Sequence, residues 1–535
     1  MDRSDIICTV FFVLVITFSV GNGIVYHGEP ESVMARNNGH RMVPADSYTP
    51  HGPITISSNA DFISQAWPGS GISGDPYVIE GLEITADAVC ISIMDTTVYF
   101  EVRDCVISSG SLSSYEGIYF DNVTQGTVSD CISDLHDRGI TLLSSSNCTL
   151  TRNTATDNFW GGFHLGNSDN CTLTDNTATS NYYHGFNLFS SDNCTLTNNT
   201  ATGNRDVFKL EYSINCTLTA NKATNNLEIG FLLKDSERCT LTNNTLVDNG
   251  LVILGYIKSD WLHDVSGNTV NSKPLGYFKN LMNAIIDGSQ YGQVILANCS
   301  GVTIKEGNFT NITIGIQLGF CTNCNLTHNT ATGNQWSGFY LSFSDGCTMT
   351  NNTASSNYHG YYLNYSYNCT LTNNTATSNS GGGFRLDYSD DCTLTNNTAS
   401  SNDYGFYLAT GSENNMLYLN RLGNNGVSNA QDNGGPNIWD DGISSGNYWR
   451  DYTGTGTYPI PGSAGSVDNY PFVWESAVTT STTTTTTTSS TTSTTTSTTT
   501  STNEIGDMTL ILVVSGAGIA VVVIVIIVVL RKRGL

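Results

Sequence analysis

Asn193-Cys194-Thr195-Leu196-Thr197-Asn198-Asn199-Thr200-Ala201-Thr202-Gly203-Asn204, preceded by Gly185-Phe186-Asn187-Leu188, is one copy of a unit that recurs along the chain. Its Cys returns at Cys148, Cys171, Cys194, Cys216 and Cys239, then at Cys324, Cys347, Cys369 and Cys392, in steps of 22 or 23 residues. Apolar residues alternate within each copy, as in Cys194 and Leu196, then Ala201, then Phe186 and Leu188 on the preceding G-F-x-L segment. A period of two marks short strands rather than helices. Three short strands and three turns in about 23 residues make one coil of a parallel β-helix. A single coil cannot bury its inner face alone, so coils stack about 4.8 Å apart. The fold class expected is therefore all-β, a right-handed parallel β-helix with three strands per coil.

The positions around these strands agree. The pair Asn198-Asn199 fits a tight corner, where Asn tolerates left-handed backbone angles, and stacked copies can hydrogen-bond amide to amide along the axis. The recurring Gly before the aromatic residue (Gly162, Gly185, Gly338, Gly360, Gly383, Gly405) is read as letting the chain swing back into a strand. Open stack ends would expose strand edges and need caps, and the Trp-containing polar stretch after Asn433 suits one of them. By strand parity the repeating Cys points inward. Buried free thiols are the favoured reading, with cross-coil disulfides and metal as alternatives. Cys321-Thr322-Asn323-Cys324 is a lone C-x-x-C without a second pair or a nearby His, so no metal or cofactor is assigned.

The flanks read differently. The apolar run Ile6 to Val20 behind Met1-Asp2-Arg3 suits a signal peptide over 1–23, followed by a linker over 24–51. The repeat domain with its caps is expected over 52–475. Residues 479–502 are only Thr and Ser, so 476–507 read as a stalk; dense hydroxyls invite O-glycosylation. Residues 508–530 are a nearly uninterrupted apolar run followed by Arg531-Lys532-Arg533, the pattern of a transmembrane helix with a cytoplasmic tail over 531–535. The expected location is the cell membrane, single-pass, with the bulk of the chain outside. The formal charge of −25 argues against nucleic acid, whose phosphates such a surface repels.

Several segments are also familiar. Gly74-Asp75-Pro76-Tyr77-Val78-Ile79-Glu80-Gly81, Val270-Asn271-Ser272-Lys273-Pro274-Leu275, Gly292-Gln293-Val294-Ile295-Leu296 and Gly446-Asn447-Tyr448-Trp449-Arg450-Asp451-Tyr452 resemble the NosD-like right-handed β-helix proteins of archaeal surfaces. The resemblance covers roughly residues 52–475 and implies the fold. It leaves function open, because the wider superfamily mixes pectate lyases, epimerases, hydrolases and adhesins. The family name implies copper, yet the sequence shows no His/Met/Cys cluster to hold it. Relatives often carry an Asp-rich insert where this chain has only Thr453-Gly454-Thr455-Gly456-Thr457-Tyr458.

Candidate function residues lie on the outer face of the G-F-x-L strands and in the variable turns before them. Strand parity turns His164, Asn187 and Lys209 outward, and the turns add His136-Asp137-Arg138, Phe159-Trp160, Tyr182-Tyr183-His184, Arg205-Asp206 and Glu228. Farther along, Tyr340, Tyr362 and Arg385 follow the same row, with Trp336 and His359 in the turns. Aromatic residues at coil spacing suit the flat faces of sugar rings, and the interleaved cations could meet carboxylates or hydroxyls. The plain alternative is a tolerant β surface on which Tyr is common. A binding or structural role toward surface or envelope glycans is thus favoured. The rival is a tethered polysaccharide lyase, epimerase or hydrolase, for which Asp206 and Glu228 beside Arg205 and Lys209 are the best cluster. Asn-x-Ser/Thr sequons recur, for example at Asn122, Asn170, Asn193, Asn311, Asn325 and Asn373, although the repeat itself places Asn two before Thr and the corner ladder is expected to occupy some.

Overall fold

The computed structural model describes residues 48–474. The expected signal peptide, most of the linker, the stalk, the membrane span and the tail lie outside the described residues. Among the described residues no helix is long and apolar enough to cross a membrane.

The described chain is a right-handed parallel β-solenoid. One coil runs Thr172–Thr174, Thr177–Thr179 and His184–Phe189; the next runs Thr195–Thr197, Thr200–Thr202 and Asp206–Glu211. The strands pair in parallel and in register, Leu173 with Leu196, Ala178 with Ala201 and Phe186 with Phe208. Every second side chain enters a dry interior: Leu173, Ala178, Phe186, Leu188 and Cys194 are fully buried. Identical residues meet their own kind one coil away. Phe163, Phe186, Phe208 and Phe231 stack with centroids 4.7, 4.9 and 4.6 Å apart. The fourteen described cysteines are all free and buried, so the thiols act as small core residues.

Each corner is tied by its own ladder. Asn199 takes the backbone N–H of Asn176 at 2.9 Å and its amide at 3.0 Å, and donates to Leu173 O and Asn221 Oδ1 at 2.9 and 3.0 Å. Its neighbour Asn198 carries the left-handed φ of +58° and is exposed, so the pair divides the two tasks. A second Asn ladder, through Asn158, Asn181 and Asn204, follows the T-A-T strands. A Ser ladder passes through Ser145, Ser168, Ser191 and Ser213, each backbone N–H reaching the next hydroxyl at 3.0–3.1 Å. A buried N–H left unpaired would be costly, and these columns satisfy the turns where strand pairing stops.

The glycines before the core aromatics have a different reason from the one read in the sequence. Their φ is ordinary, but there is no room. A Cβ on Gly360 would stand 2.5 Å from the carbonyl oxygen of Gly383, and one on Gly338 would stand 2.8 Å from that of Gly360. Close approach of adjacent coils, not backbone freedom, demands Gly there.

Both ends are closed. The short helix Asn59–Ser64 lays the buried Phe62 on Tyr77, 4.8 Å centroid to centroid. At the other end Trp439 and Trp449 cover the last coils, and their indole N–H groups donate to Asp432 Oδ2 and Asp468 Oδ2 at 2.9 and 2.8 Å. The stretch after Asn433 is thus a cap, as its composition indicates.

The stack is interrupted once. Thr269–Val270 pairs antiparallel with Lys273–Lys279 across a turn at Asn271-Ser272, both at positive φ, so the chain reverses and starts a second run of coils. The outer face of that run, at Gln293–Ala297 and Ile314–Gly319, packs on the edge strand Leu251–Leu254 of the first. Gln293 accepts from Leu251 N at 2.9 Å and donates to Leu251 O at 2.8 Å. Gln317 treats Ile253 the same way, at 3.3 and 2.6 Å. Two glutamines thereby imitate a missing strand. Trp261, fully buried, lies against Gly319, where a Cβ would meet the indole at 2.0 Å.

Candidate functional site

The outward row read from strand parity exists. Thr141, His164, Asn187, Lys209 and Leu232 are consecutive register partners on the outer face of the G-F-x-L sheet. Beside it runs the column that opens each strand: Arg138, Gly161, His184 and Asp206. Gly161 has no side chain in that column, so a gap opens between Arg138 and His184. The gap is a cleft of about 200 Å³ lined by Arg138, Trp160, Gly161, Phe163, His164, His184 and Asn187. One wall is aromatic. Trp160, 42% exposed, stacks on Tyr183 at 4.6 Å, Phe159 stacks on Tyr182 at 5.4 Å, and Arg205 continues the pile over Tyr183.

The polar side chains that line the floor, His164, His184 and Asn187, are uncharged. Asn187 donates its amide to His164 Nδ1 at 3.2 Å, while its Oδ1 has no hydrogen-bond partner. His184 Nδ1 faces Asp206 Oδ2 at 3.7 Å, too far for a hydrogen bond, and Asp206 Oδ1 is also unpartnered. Burial, helped by the surrounding cations, lowers both histidines to about 4, so they are neutral at pH 7. Burial and then the Glu228 charge raise Asp206 to about 6.

The cations that the sequence offered to an acidic ligand are already engaged. Arg205 lies 2.8 Å from Glu228, and Lys209 lies 3.0 Å from Glu211, which also takes Lys234 at 2.6 Å. Arg138 lies 3.2 Å from both Glu116 and Asp137. Arg138 and Tyr183 stand among the turn residues expected on this face, whereas Gly161 and the core residue Phe163 are lining residues that the sequence reading left out of the site. The signal for Gly161 was present: it opens the strand at the position that His184 occupies one coil on.

The second run of coils has its own cleft, lined by Tyr358, His359, Ser380, Gly381, Gly382, Arg385, Asp403, Tyr404 and Tyr407. Here too a glycine, Gly382, stands beside the histidine, and its N–H donates to His359 Nδ1 at 2.9 Å. Burial lowers His359 to about 3. Arg385 lies between the rings of Tyr362 and Tyr407 and forks onto Asp387, which also accepts from the Tyr362 hydroxyl at 2.9 Å. Tyr340 and Trp336 do not belong to an exposed groove. Tyr340 is only 7% exposed and Trp336 is half-buried, because the junction between the two runs covers the outer face of their sheet.

The sequons separate cleanly from the ladders. Asn122, Asn170, Asn193, Asn311 and Asn373 sit at positive φ on exposed corners, whereas Asn325 is half-buried in the strand Asn325–Thr327. The ladder residues, such as Asn176 and Asn199, are not sequons, so the anticipated competition between ladder and sequon does not arise.

A family model described as periplasmic copper-binding protein (NosD) matches residues 80–275 and 264–454. No curated protein matches the chain. Among solved structures, the periplasmic alginate epimerase AlgG is 14% identical over 79% of this chain and 84% of its own, with a TM-score of 0.24. The A-module of the Azotobacter vinelandii mannuronan C-5 epimerase AlgE6 is 13% identical over 72% and 89%, at 0.24. A tailspike protein mutant of E. coli bacteriophage HK620 in complex with pentasaccharide is 12% identical over 68% of each chain, at 0.28. Likeness at this level carries no argument about chemistry. Copper, which the family description implies, does not fit the described residues: no three His, Cys, Asp or Glu side chains there form a group able to hold a metal. The thiols that might have served are sealed in the core, their Sγ atoms directed at backbone carbonyls, as Cys194 is toward Ser168 O. The family model nonetheless runs through most of the stacked coils, and the chain belongs to the NosD family.

Proposed function

We propose that this protein is a membrane-tethered cell-surface β-helix that binds glycan in the cleft between Trp160 and His184. The observation that carries the reading is the pairing of a stacked, exposed indole with the neutral polar side chains of His164, His184 and Asn187 in one cleft. A sugar ring has that same division, an apolar face and a polar edge. Trp160→Ala in the full-length protein is expected to weaken the binding of any oligosaccharide found on a glycan array by about 1–3 kcal/mol, the scale of burying one large apolar side chain. The fold should survive, because Trp160 lies outside the stacked interior. Unchanged affinity would remove this cleft as the binding site.

One observation favours a second reading, a polysaccharide lyase, epimerase or hydrolase: His184 and Asp206 place a candidate base beside a carboxyl group with a raised pKa. Product analysis of the bound oligosaccharides separates the two. Turnover that disappears in Asp206→Asn would make the cleft an active site; intact oligosaccharide after prolonged incubation supports binding alone.

The tether rests on the sequence of the flanks: an apolar run over 508–530, Arg531-Lys532-Arg533 behind it, and the Thr/Ser segment before it. Protease added to intact cells is expected to cut within the stalk and release a large fragment carrying the repeat domain. Complete protection in sealed cells would refute an external β-helix.

A further inference from the structure

We infer that the ligand of the Trp160 cleft is an uncharged sugar chain, and that uronate, sulfated and phosphorylated glycans are turned away. The inference rests on the glycan reading above and specifies the ligand class. The first support is the ion pairing around the cleft. Arg138, Arg205, Lys209 and Lys234 are each bound to a carboxylate, and Glu116, Asp137, Glu211 and Glu228 supply those partners. Asp206 is left over, so carboxylates outnumber cations beside the cleft. An acidic sugar would have to break one of these pairs to find a counter-ion, and it would approach a molecule whose formal charge is already −25.

The second support is the polarity of the lining: apart from the ion-paired Arg138, its polar side chains are His164, His184 and Asn187. A hydroxyl can donate to or accept from such groups, whereas a carboxylate or sulfate ester finds no unpaired cation among them. His164 and His184 stay neutral, so neither adds a positive charge at pH 7. His164 Nδ1 accepts from Asn187, which leaves the remaining ring proton on Nε2, a neutral donor suited to a ring or hydroxyl oxygen. Together with the indole face, the site presents stacking, acceptors and a neutral donor, and no free cation.

The experiment uses the full-length protein in detergent, with cellohexaose, mannohexaose and xylohexaose as neutral probes. Hexagalacturonate and a sulfated heparin hexasaccharide serve as acidic probes. At least one neutral probe is expected to bind about tenfold or more tighter than either acidic probe. Its affinity should not change between low and high salt, because no ion pair forms with the ligand. Glu211→Gln, which frees Lys209 and Lys234 without touching the cleft lining, is expected to raise hexagalacturonate affinity about tenfold and to leave the neutral probe unchanged. Trp160-dependent binding of an acidic probe as tight as, or tighter than, every neutral one would overturn the inference and leave the glycan reading standing. Failure of Glu211→Gln to improve hexagalacturonate binding would overturn the role given to the ion pairs. Binding of no probe of either class would defeat the glycan reading, and this inference with it.

Discussion

Asn199→Ala is expected to destabilise the β-helix by about 3–6 kcal/mol, whereas Asn198→Ala, one residue away, should cost about 1–2 kcal/mol. Asn199 is fully buried and joins three coils. Without its side chain the backbone N–H and the amide of Asn176 lose their acceptor, and the carbonyl of Leu173 and Oδ1 of Asn221 each lose a donor, in a place water does not reach. Each such orphan costs about 1–3 kcal/mol, and the vacated volume adds to that. Asn198 is exposed at the corner and contributes mainly its tolerance of a left-handed φ of +58°. Urea denaturation measures the difference. Because each coil touches only its neighbours, hydrogen exchange should accelerate first in Thr172–Thr174 and Thr195–Thr197. Equal losses in the two variants would show that the ladder contributes little.

Gln293→Leu is expected to cost about 3–5 kcal/mol, mostly at the junction between the two runs of coils. The glutamine satisfies both the N–H and the C=O of Leu251 and also donates to Ile314 O at 3.0 Å. Leucine fills similar space and answers none of them. Leu251, at the start of the edge strand Leu251–Leu254, would then face an apolar side chain with its N–H and C=O unpaired, while Gln317 still holds Ile253. Thermal unfolding should shift down, and limited proteolysis should cut earlier near the Asn271-Ser272 turn. Gln290→Leu, at an exposed position three residues before, serves as the control and should change neither. A Gln293→Leu protein within about 0.5 kcal/mol of the parent would mean that the junction is held by packing, with Trp261 against Gly319, and not by these hydrogen bonds.

The different fates of the sequence expectations have physical causes. Phe186, Leu188, Cys194, Leu196 and Ala201 were identifiable as core because a strand turns every second side chain the same way, whatever lies around it. The row His164, Asn187 and Lys209 followed from the same parity plus the repeat length. Tyr340 has the same parity and repeat position, yet it is buried, because burial of an outer face depends on what another part of the chain lays over it. The reversal at Asn271-Ser272 falls in the stretch between Cys239 and Cys324 where the repeat lapses, and such a lapse shows that the unit changes without showing which way the chain turns.

The repeat alone therefore determined the fold class, the inward and outward faces, the Asn corner and the need for caps, since all of these depend on alternation and on the spacing of identical residues. Only the tertiary structure decided that the glycines answer to crowding, that the chain doubles back into a second run of coils, and that the missing side chain of Gly161 opens a cleft against Trp160. It also decided the charge of that cleft. Lys209 and Arg205 read as free cations in a linear sequence, but Glu211 and Glu228 neutralise them at 3.0 and 2.8 Å. Coulomb attraction over such distances depends on side-chain torsions and on which coil lies next, and neither is written in the order of residues.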